Sequence, residues 1–258
     1  MAVYNPPERS FISIFPPEFD ISKIDVSAPK KPFYETLLSR QGNKKNSIIA
    51  EIKKRSPSKG MLDSNLNVSE KAVQYEAGGA SCLSVLTEKD YFHGSIDDLL
   101  IAKKSVNLPI LRKDFIIDEL QVYQSKMIGA DCILLIASAL SHKLFEELYS
   151  LAASLNLDVL AEIHDIDELD FVKSLGIKLL GINNRNLKTF NVDIETSVRL
   201  SSKIPSNYAK ISESGISNSN DIITLKNFGY DGFLIGENFM KSDHPGNTAK
   251  DFIKKITQ

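Results

Sequence analysis

From Ser47 onward one pattern recurs eight times: a short apolar run, a polar turn, then a longer segment whose apolar residues fall at helical spacing. The runs are IIAEIK (48–53), CLSVLT (82–87), PILRKD (109–114), DCILLI (131–136), DVLAEI (158–163), KLLGIN (178–183), AKISES (209–214) and DGFLIG (231–236). Between them stand helix patterns such as NVSEKAVQYEAGG, DELQVYQSKMIGA, SHKLFEELYSLAASL and SNSNDIITLKNFG, several ending in the glycine favoured just past a helix C-terminus. Strands separated by single helices imply right-handed crossovers and a parallel sheet. Eight units between residues 47 and 258 fit an α/β fold, a closed (βα)8 TIM barrel. An open doubly wound sheet is the alternative, but no G-x-G-x-x-G follows the first run.

Ahead of this pattern, Pro6, Pro7, Pro16, Pro17, Pro29 and Pro32 leave room for short helices only. Pro32 suits the first turn of a helix that presents Phe33, Leu37 and Leu38 on one face. The expected organisation is an N-terminal helical extension, residues 1–45, covering the mouth of a single barrel domain, residues 46–258. A formal net charge of -2 gives no electrostatic reason to expect nucleic acid. The isolated Cys82 and Cys132 build neither a disulfide framework nor a CxxC metal site, and read as buried free thiols of a reducing compartment. With no signal-peptide pattern and no run approaching a membrane span, a cytoplasmic protein without a membrane partner is expected. No exposed apolar stripe separates from the helix faces that pack on the barrel, so the sequence does not give the quaternary state, and a monomer is one expectation.

Alternate strand residues face opposite sides. In IIAEIK, Ile48, Ala50 and Ile52 share one face while Ile49, Glu51 and Lys53 share the other. If the first set packs under the helices, Glu51 and Lys53 point into the barrel. The same count groups Lys113 with Phe115, Glu162 with Leu160, Asn183 with Arg185, and Glu213 with Ile211. All lie at C-terminal strand ends, where barrel enzymes build their sites. Any one charge there could simply reach solvent; six ionisable residues, Glu51, Lys53, Lys113, Glu162, Arg185 and Glu213, on the inward parity of five strands are less easily explained so. After the seventh and eighth runs, Ser214-Gly215 and Gly236 offer close backbone approach, which suits a phosphate. The histidines, His93, His142, His164 and His244, form no ligand set and read as surface or loop residues.

At these residues the chain resembles the indole-3-glycerol-phosphate synthase family. The likeness is carried by IIAEIKKRSPSKG, LTEKDYFHGS, ILRKDFIIDELQVYQSKMIGADCILLIASAL, LAEIHD, GINNRNLKTFNVDIETS, ISESGI and GFLIGENFM. It implies a (βα)8 barrel that closes an indole ring on 1-(2-carboxyphenylamino)-1-deoxyribulose 5-phosphate, releasing carbon dioxide and water, with no metal or organic cofactor. By motif position Lys113 matches the general acid, Glu162 the general base, and Lys53 a second lysine that anchors substrate and protonates the leaving hydroxyl. Glu51, Asn183 and Glu213 match residues around the substrate's polar groups, with Ser56 and Arg185 also in matching positions. Ser214, Gly215, Gly236 and Glu237 align with the phosphate loops, and Phe92, Phe115, Leu134 and Leu187 with the slot for the anthranilate ring. Tryptophan is absent, so an aromatic lid from the extension falls to a residue such as Phe11 or Phe15. The sequence ends soon after the eighth helix, so no fused isomerase or amidotransferase domain is expected. The competing readings are another phosphosugar barrel such as phosphoribosylanthranilate isomerase, which resembles this fold but uses a Cys and Asp pair, and a barrel that binds a partner without catalysis.

Overall fold

The structure, a computed structural model, describes residues 24–25, 28–39, 47–187, 189–240 and 245–257. All eight apolar runs form strands: β1 (Ser47–Ile52), β2 (Cys82–Leu86), β3 (Ile110–Lys113), β4 (Cys132–Ile136), β5 (Asp158–Ile163), β6 (Leu179–Asn183), β7 (Ala209–Glu213) and β8 (Gly232–Ile235). They pair in parallel in sequence order, and β8 closes on β1 through Ile48↔Phe233 and Ile49↔Leu234. Each crossover contains a helix: α2 (Val68–Ala77), α3 (Ile96–Ser105), α4 (Glu119–Met127), α5 (His142–Ser154), α6 (Ile166–Ser174), α7 (Glu195–Ser201) and α8 (Ser219–Asn227). An earlier α1 (Phe33–Leu38) precedes them, and α9 (Glu237–Met240) and α10 (Pro245–Thr257) follow β8. No helix among the described residues is long and apolar enough to cross a membrane.

Six of the seven crossover helices, all but α7, begin where short polar side chains can accept the orphan N–H groups of a first turn. Asn67, Ser95, Asp118, Ser141, Asp165 and Asn218 all do so. Asp118 with Gln121, and Asn218 with Asp221, add the reciprocal bond of a capping box. The outward strand residues, Ile48, Ala50, Leu83, Val85, Ile133 and Leu135 among them, join the helices in one apolar cluster. The inward set, including Ile49, Leu111, Leu134, Leu160, Ile211 and Leu234, forms a second cluster inside the ring.

Helix α1 belongs to the inner cluster, with Phe33 and Leu37 fully buried. Its partners lie at the N-terminal ends of strands. Asp158 accepts the Tyr34 N–H at 3.1 Å and Lys30 Nζ at 2.5 Å, Asp131 accepts the Lys31 N–H at 2.7 Å, and Ser47 Oγ donates to the Leu37 carbonyl. Residues 28–39 therefore close the floor of the barrel, opposite the mouth that the sequence reading assigned to the extension. The aromatic lid residues Phe11 and Phe15 lie outside the described residues.

Above the floor the interior is filled in levels, the alternate-strand arrangement of a packed barrel. Ile49, Leu111, Leu160 and Ile211 come from the odd strands, and two residues further along the same strands give Glu51, Lys113, Glu162 and Glu213. Between these levels the even strand β6 contributes Gly181. A Cβ there would collide with Glu213 Oε1 and stand 3.3 Å from Leu160 Cδ1. Gly181→Ala should thus lower stability by about 1–3 kcal/mol, the usual cost of overpacking a core, with recovery in Gly181→Ala/Glu213→Ala. Urea midpoints of the three proteins would measure this, and an unchanged midpoint for Gly181→Ala would mean the carboxylate swings away freely.

Candidate active site

The uppermost odd-strand level brings one ammonium between two carboxylates. Lys113 Nζ donates to Glu213 Oε2 at 2.5 Å and to Glu162 Oε2 at 3.0 Å. The Lys113 side chain is 13% exposed, Glu162 3% and Glu213 2%. Asn183 Nδ2 supplies Glu162 Oε1 with a hydrogen bond at 2.9 Å. Across the mouth Lys53 Nζ pairs with Glu51 Oε1 at 2.6 Å, while Ser84 Oγ lies 3.5 Å from Glu51 Oε2. Gly236 makes room for this second pair, since a Cβ there would strike Glu51 Oε1 and come within 3.0 Å of Lys53 Nζ.

Burial would strip the proton from Lys113, but Glu213, Glu162 and Glu51 outweigh it and hold the ammonium above its ordinary range. The two carboxylates respond in opposite directions. Burial raises Glu162, yet Lys113, His164 and the Asn183 hydrogen bond together pull it below the usual carboxylate value. Burial also raises Glu213, and here the neighbouring Glu162 and Glu51 reinforce it against Lys113, pushing it up to about 7. The Oε1 atom of Glu213 is buried with no hydrogen-bond partner among the described residues, which favours the neutral acid for the same reason. One side of the cluster is thus a committed anion and the other a group that can gain or lose a proton near neutrality.

The rim is shaped by loops. After β1, a ribbon pairs Arg55–Ser56 with Gly60–Met61, and the Arg55 N–H donates to the Phe92 carbonyl at 3.2 Å. The Glu88 carboxylate accepts the N–H groups of Asp90, Tyr91 and Phe92 and so fixes the loop that carries Phe92. The Phe92 and Phe115 rings stand 6.3 Å apart at 45°. Leu134, buried, belongs to the interior cluster, and Phe115 and Leu187 pack against it half-buried.

After β7, Ser214 and Gly215 both adopt left-handed backbone, φ 66 and φ 80. A buried polar knot underlies this turn: Asn184 Nδ2 donates to the Ser214 carbonyl and to Ser212 Oγ, each at 3.0 Å, and Asn184 Oδ1 accepts from Ser197 Oγ at 2.8 Å. Gly236 leads into α9, and Asn238 Nδ2 donates to the Ser217 carbonyl at 2.7 Å, tying the loop after β8 to the loop after β7. Lys59 of the ribbon reaches Glu237 at 3.9 Å.

Comparison with known proteins decides the family. The sequence-family model described as indole-3-glycerol phosphate synthase matches residues 13–252. This chain belongs to the indole-3-glycerol phosphate synthase family. An indole-3-glycerol phosphate synthase of Bacteroides thetaiotaomicron is 49% identical over 209 residues, covering 81% of this chain and 80% of its own. The namesake from Prochlorococcus marinus subsp. pastoris is 44% identical over 254 residues, with 96% and 85% covered. That of Polaromonas naphthalenivorans is 46% identical over 216 residues, with 84% and 82% covered. Among solved structures, thiamine phosphate pyrophosphorylase from Pyrococcus furiosus superposes with a TM-score of 0.60 at 14% identity, covering 83% of this chain and 96% of its own. That last likeness is one of fold.

Of the residues singled out in this indole-3-glycerol phosphate synthase family member, Glu51, Lys53, Lys113, Glu162, Asn183 and Glu213 meet in the mouth. Arg185 joins their hydrogen-bond network through its backbone, whose N–H donates to Asn183 Oδ1 at 2.9 Å; its backbone also bridges Val192, and its guanidinium donates to the Phe190 carbonyl at 3.3 Å, within its own loop. Ser56 is buried in the ribbon. The sequence reading missed His164, whose Nε2 stands 3.5 Å from Glu162 Oε1. Parity was the available signal, because His164 is two residues beyond Glu162. It also missed Asn184, whose outward position under the Ser214 turn has no sequence signature. Among the described residues no group of three or more His, Cys, Asp or Glu side chains is arranged to hold a metal ion.

The raised value of Glu213 fixes a pH dependence. Its ordinary value is 4.5 and its folded value about 7, so its contribution to stability is complete below 4.5 and is lost as pH rises through about 7. Unfolding midpoints of the parent and of Glu213→Gln should therefore diverge between these limits, the variant gaining on the parent with rising pH. Parallel curves would return Glu213 to an ordinary carboxylate.

Proposed function

We infer that this chain is an indole-3-glycerol-phosphate synthase, converting 1-(2-carboxyphenylamino)-1-deoxyribulose 5-phosphate to indole-3-glycerol phosphate with loss of carbon dioxide and water, in tryptophan biosynthesis. The observation that carries this reading is the buried Lys113 ammonium held between Glu162 and Glu213 at the C-terminal mouth of a barrel of this family.

Closing the ring breaks aromaticity, which is costly unless the ketone oxygen is protonated as charge develops. Lys113 is the proposed donor, and its burial strengthens the interaction with a developing alkoxide. Glu162, held ionised, is the proposed base that takes a proton in the dehydration. Lys53, on the far side beside Glu51, is the proposed donor to the departing hydroxyl. Glu51, Asn183 and Glu213 are assigned to the substrate's polar groups, together with Ser56 and Arg185. Phe92, Phe115, Leu134 and Leu187 are assigned to the aromatic ring. Backbone N–H groups at Ser214, Gly215, Gly236 and Glu237 are assigned to the phosphate, the usual position in this fold. We place the catalytic unit in residues 46–258 and the protein in the cytoplasm, in keeping with a chain whose two cysteines are both buried.

An isomerase of the Cys and Asp type fits less well. Cys82 opens β2 in register with Ile49, below the level of Glu51, and contributes no side chain to the hydrogen bonds of the charged level.

Lys113→Ala should lower kcat at least roughly a hundredfold with a smaller change in KM, the behaviour of a positioned acid; a change confined to KM would make it a binding residue. Glu162→Gln should fold normally and slow a step after substrate capture, and parental turnover would remove it from the mechanism. Product indole fluorescence reads both cleanly, because the protein contains no tryptophan. Tight binding without any indole signal would instead favour the non-catalytic barrel.

A further inference from the structure

The turn after β7 strings two left-handed residues together, and only the second is glycine. Ser214 stands at φ 66, a backbone that residues with a Cβ rarely adopt, and Gly215 follows at φ 80. Glycine accepts φ of either sign, so Gly215 leaves the peptide between the two free to turn over unless a neighbour holds it. Backbone held in a sparsely populated region gathers where a main-chain group is aimed at a ligand.

The neighbour is a cycle of buried hydrogen bonds. Asn184 Oδ1 accepts from Ser197 Oγ at 2.8 Å and from the Ser197 backbone N–H at 3.1 Å, so the single hydroxyl proton of Ser197 is committed to the amide. The 2.9 Å contact between Ser197 Oγ and Ser212 Oγ is then donated by Ser212. Ser212 Oγ in turn accepts from Asn184 Nδ2 at 3.0 Å, which closes the cycle. Asn184 is 2% exposed, and both serines are fully buried. One N–H of the amide is left over, and it points out of the cycle to the Ser214 carbonyl at 3.0 Å. Turned the other way, the amide would set donor against the Ser197 N–H and acceptor against the Ser214 carbonyl, so its orientation is fixed by its partners.

This cycle lies on the helix side of the barrel wall. Asn183 points inward to Glu162, and its neighbour Asn184 points outward; Ser212, between the inward Ile211 and Glu213, does likewise, and Ser197 belongs to α7. The Ser214 carbonyl is therefore drawn outward. Across a trans peptide the C=O and N–H point in opposite directions, so the Gly215 N–H is turned inward, to the mouth.

We propose that Asn184 is a positioning residue for the substrate's phosphate, holding the Ser214–Gly215 peptide so that the Gly215 N–H already faces the mouth when the anion arrives. Without the amide the peptide is free to turn over and present its carbonyl, which repels an anion. The phosphate takes no part in the bonds that form and break, so Asn184 governs capture of substrate rather than chemistry. The role rests on the assignment of the phosphate to this turn.

Its test is steady-state turnover of the parent, Asn184→Ala and Ser197→Ala, with the product separated by chromatography. Inorganic phosphate and 2-aminobenzoate serve as separate competitive inhibitors, one for each end of the substrate. Asn184→Ala should raise KM and the phosphate inhibition constant about tenfold each, with kcat within about threefold and the 2-aminobenzoate constant within about twofold. A residue that only braced the barrel wall would weaken both inhibitors together; that result, or a phosphate constant at the parental value, would overturn the proposal. Ser197→Ala opens the cycle but keeps the Ser197 N–H on Asn184 Oδ1, and should raise the phosphate constant about threefold. It decides the matter if Asn184→Ala does not fold, and a parental phosphate constant in it would then overturn the role. A parent that phosphate does not inhibit would sink the phosphate assignment and this role with it. Inhibition of the parent beside an unshifted constant in Asn184→Ala would sink the role alone.

Discussion

A closed ring of eight strands has room for four inward side chains at each level, and the rest of this molecule depends on how those levels are filled. Packing the lower ones with Ile49, Leu111, Leu160 and Ile211 makes the interior dry. The level above them then has to carry its charges in a medium that solvates them poorly, so they must solvate one another. Lys113 can remain an ammonium there only because carboxylates from two other strands reach it, and those strands hold their spacing only because the lower levels are full.

This arrangement ties stability to reactivity. With Glu162 and Glu213 both against one ammonium, the cluster is over-supplied with negative charge, and the excess appears as a raised proton affinity at Glu213 rather than as disorder. Lys53 and Glu51 form an ion pair of their own, from which Glu51 still adds to the negative field at Lys113 and Glu213. Two ammonium groups in different surroundings across one mouth suit the two proton donations of the proposed reaction. Gly181 and Gly236 belong to the same economy of space, since each leaves a volume that a carboxylate occupies.

Much of this was legible in the sequence because a period of two is a local property. The eight runs, the inward parity of Glu51, Lys113, Glu162 and Glu213, and the assignment of their ends to one mouth all followed from alternation. The same rule says less at Arg185, because β6 ends at Asn183 and the chain then turns: the Arg185 N–H meets the Asn183 side chain while its guanidinium lies with its own loop. His164 lay within reach of the rule and was passed over because histidines were judged as possible metal ligands rather than by face. Which end of the ring α1 would meet was not legible: its apolar face declares that it packs, and only Asp131 and Asp158, about a hundred residues later, declare where.

That floor contact also orders events in time. Helix α1 precedes every strand, yet the carboxylates that seat it arrive with β4 and β5, and β1 cannot complete the ring until β8 exists. During synthesis from the N-terminus, the first apolar segment of the barrel must therefore wait, unburied, for partners that emerge much later. The lysines beside it, Lys30 and Lys31, are charged and wettable until Asp158 and Asp131 arrive to make them its anchors. Residues that serve the finished protein as a latch thus serve the nascent chain as a solubilising tag.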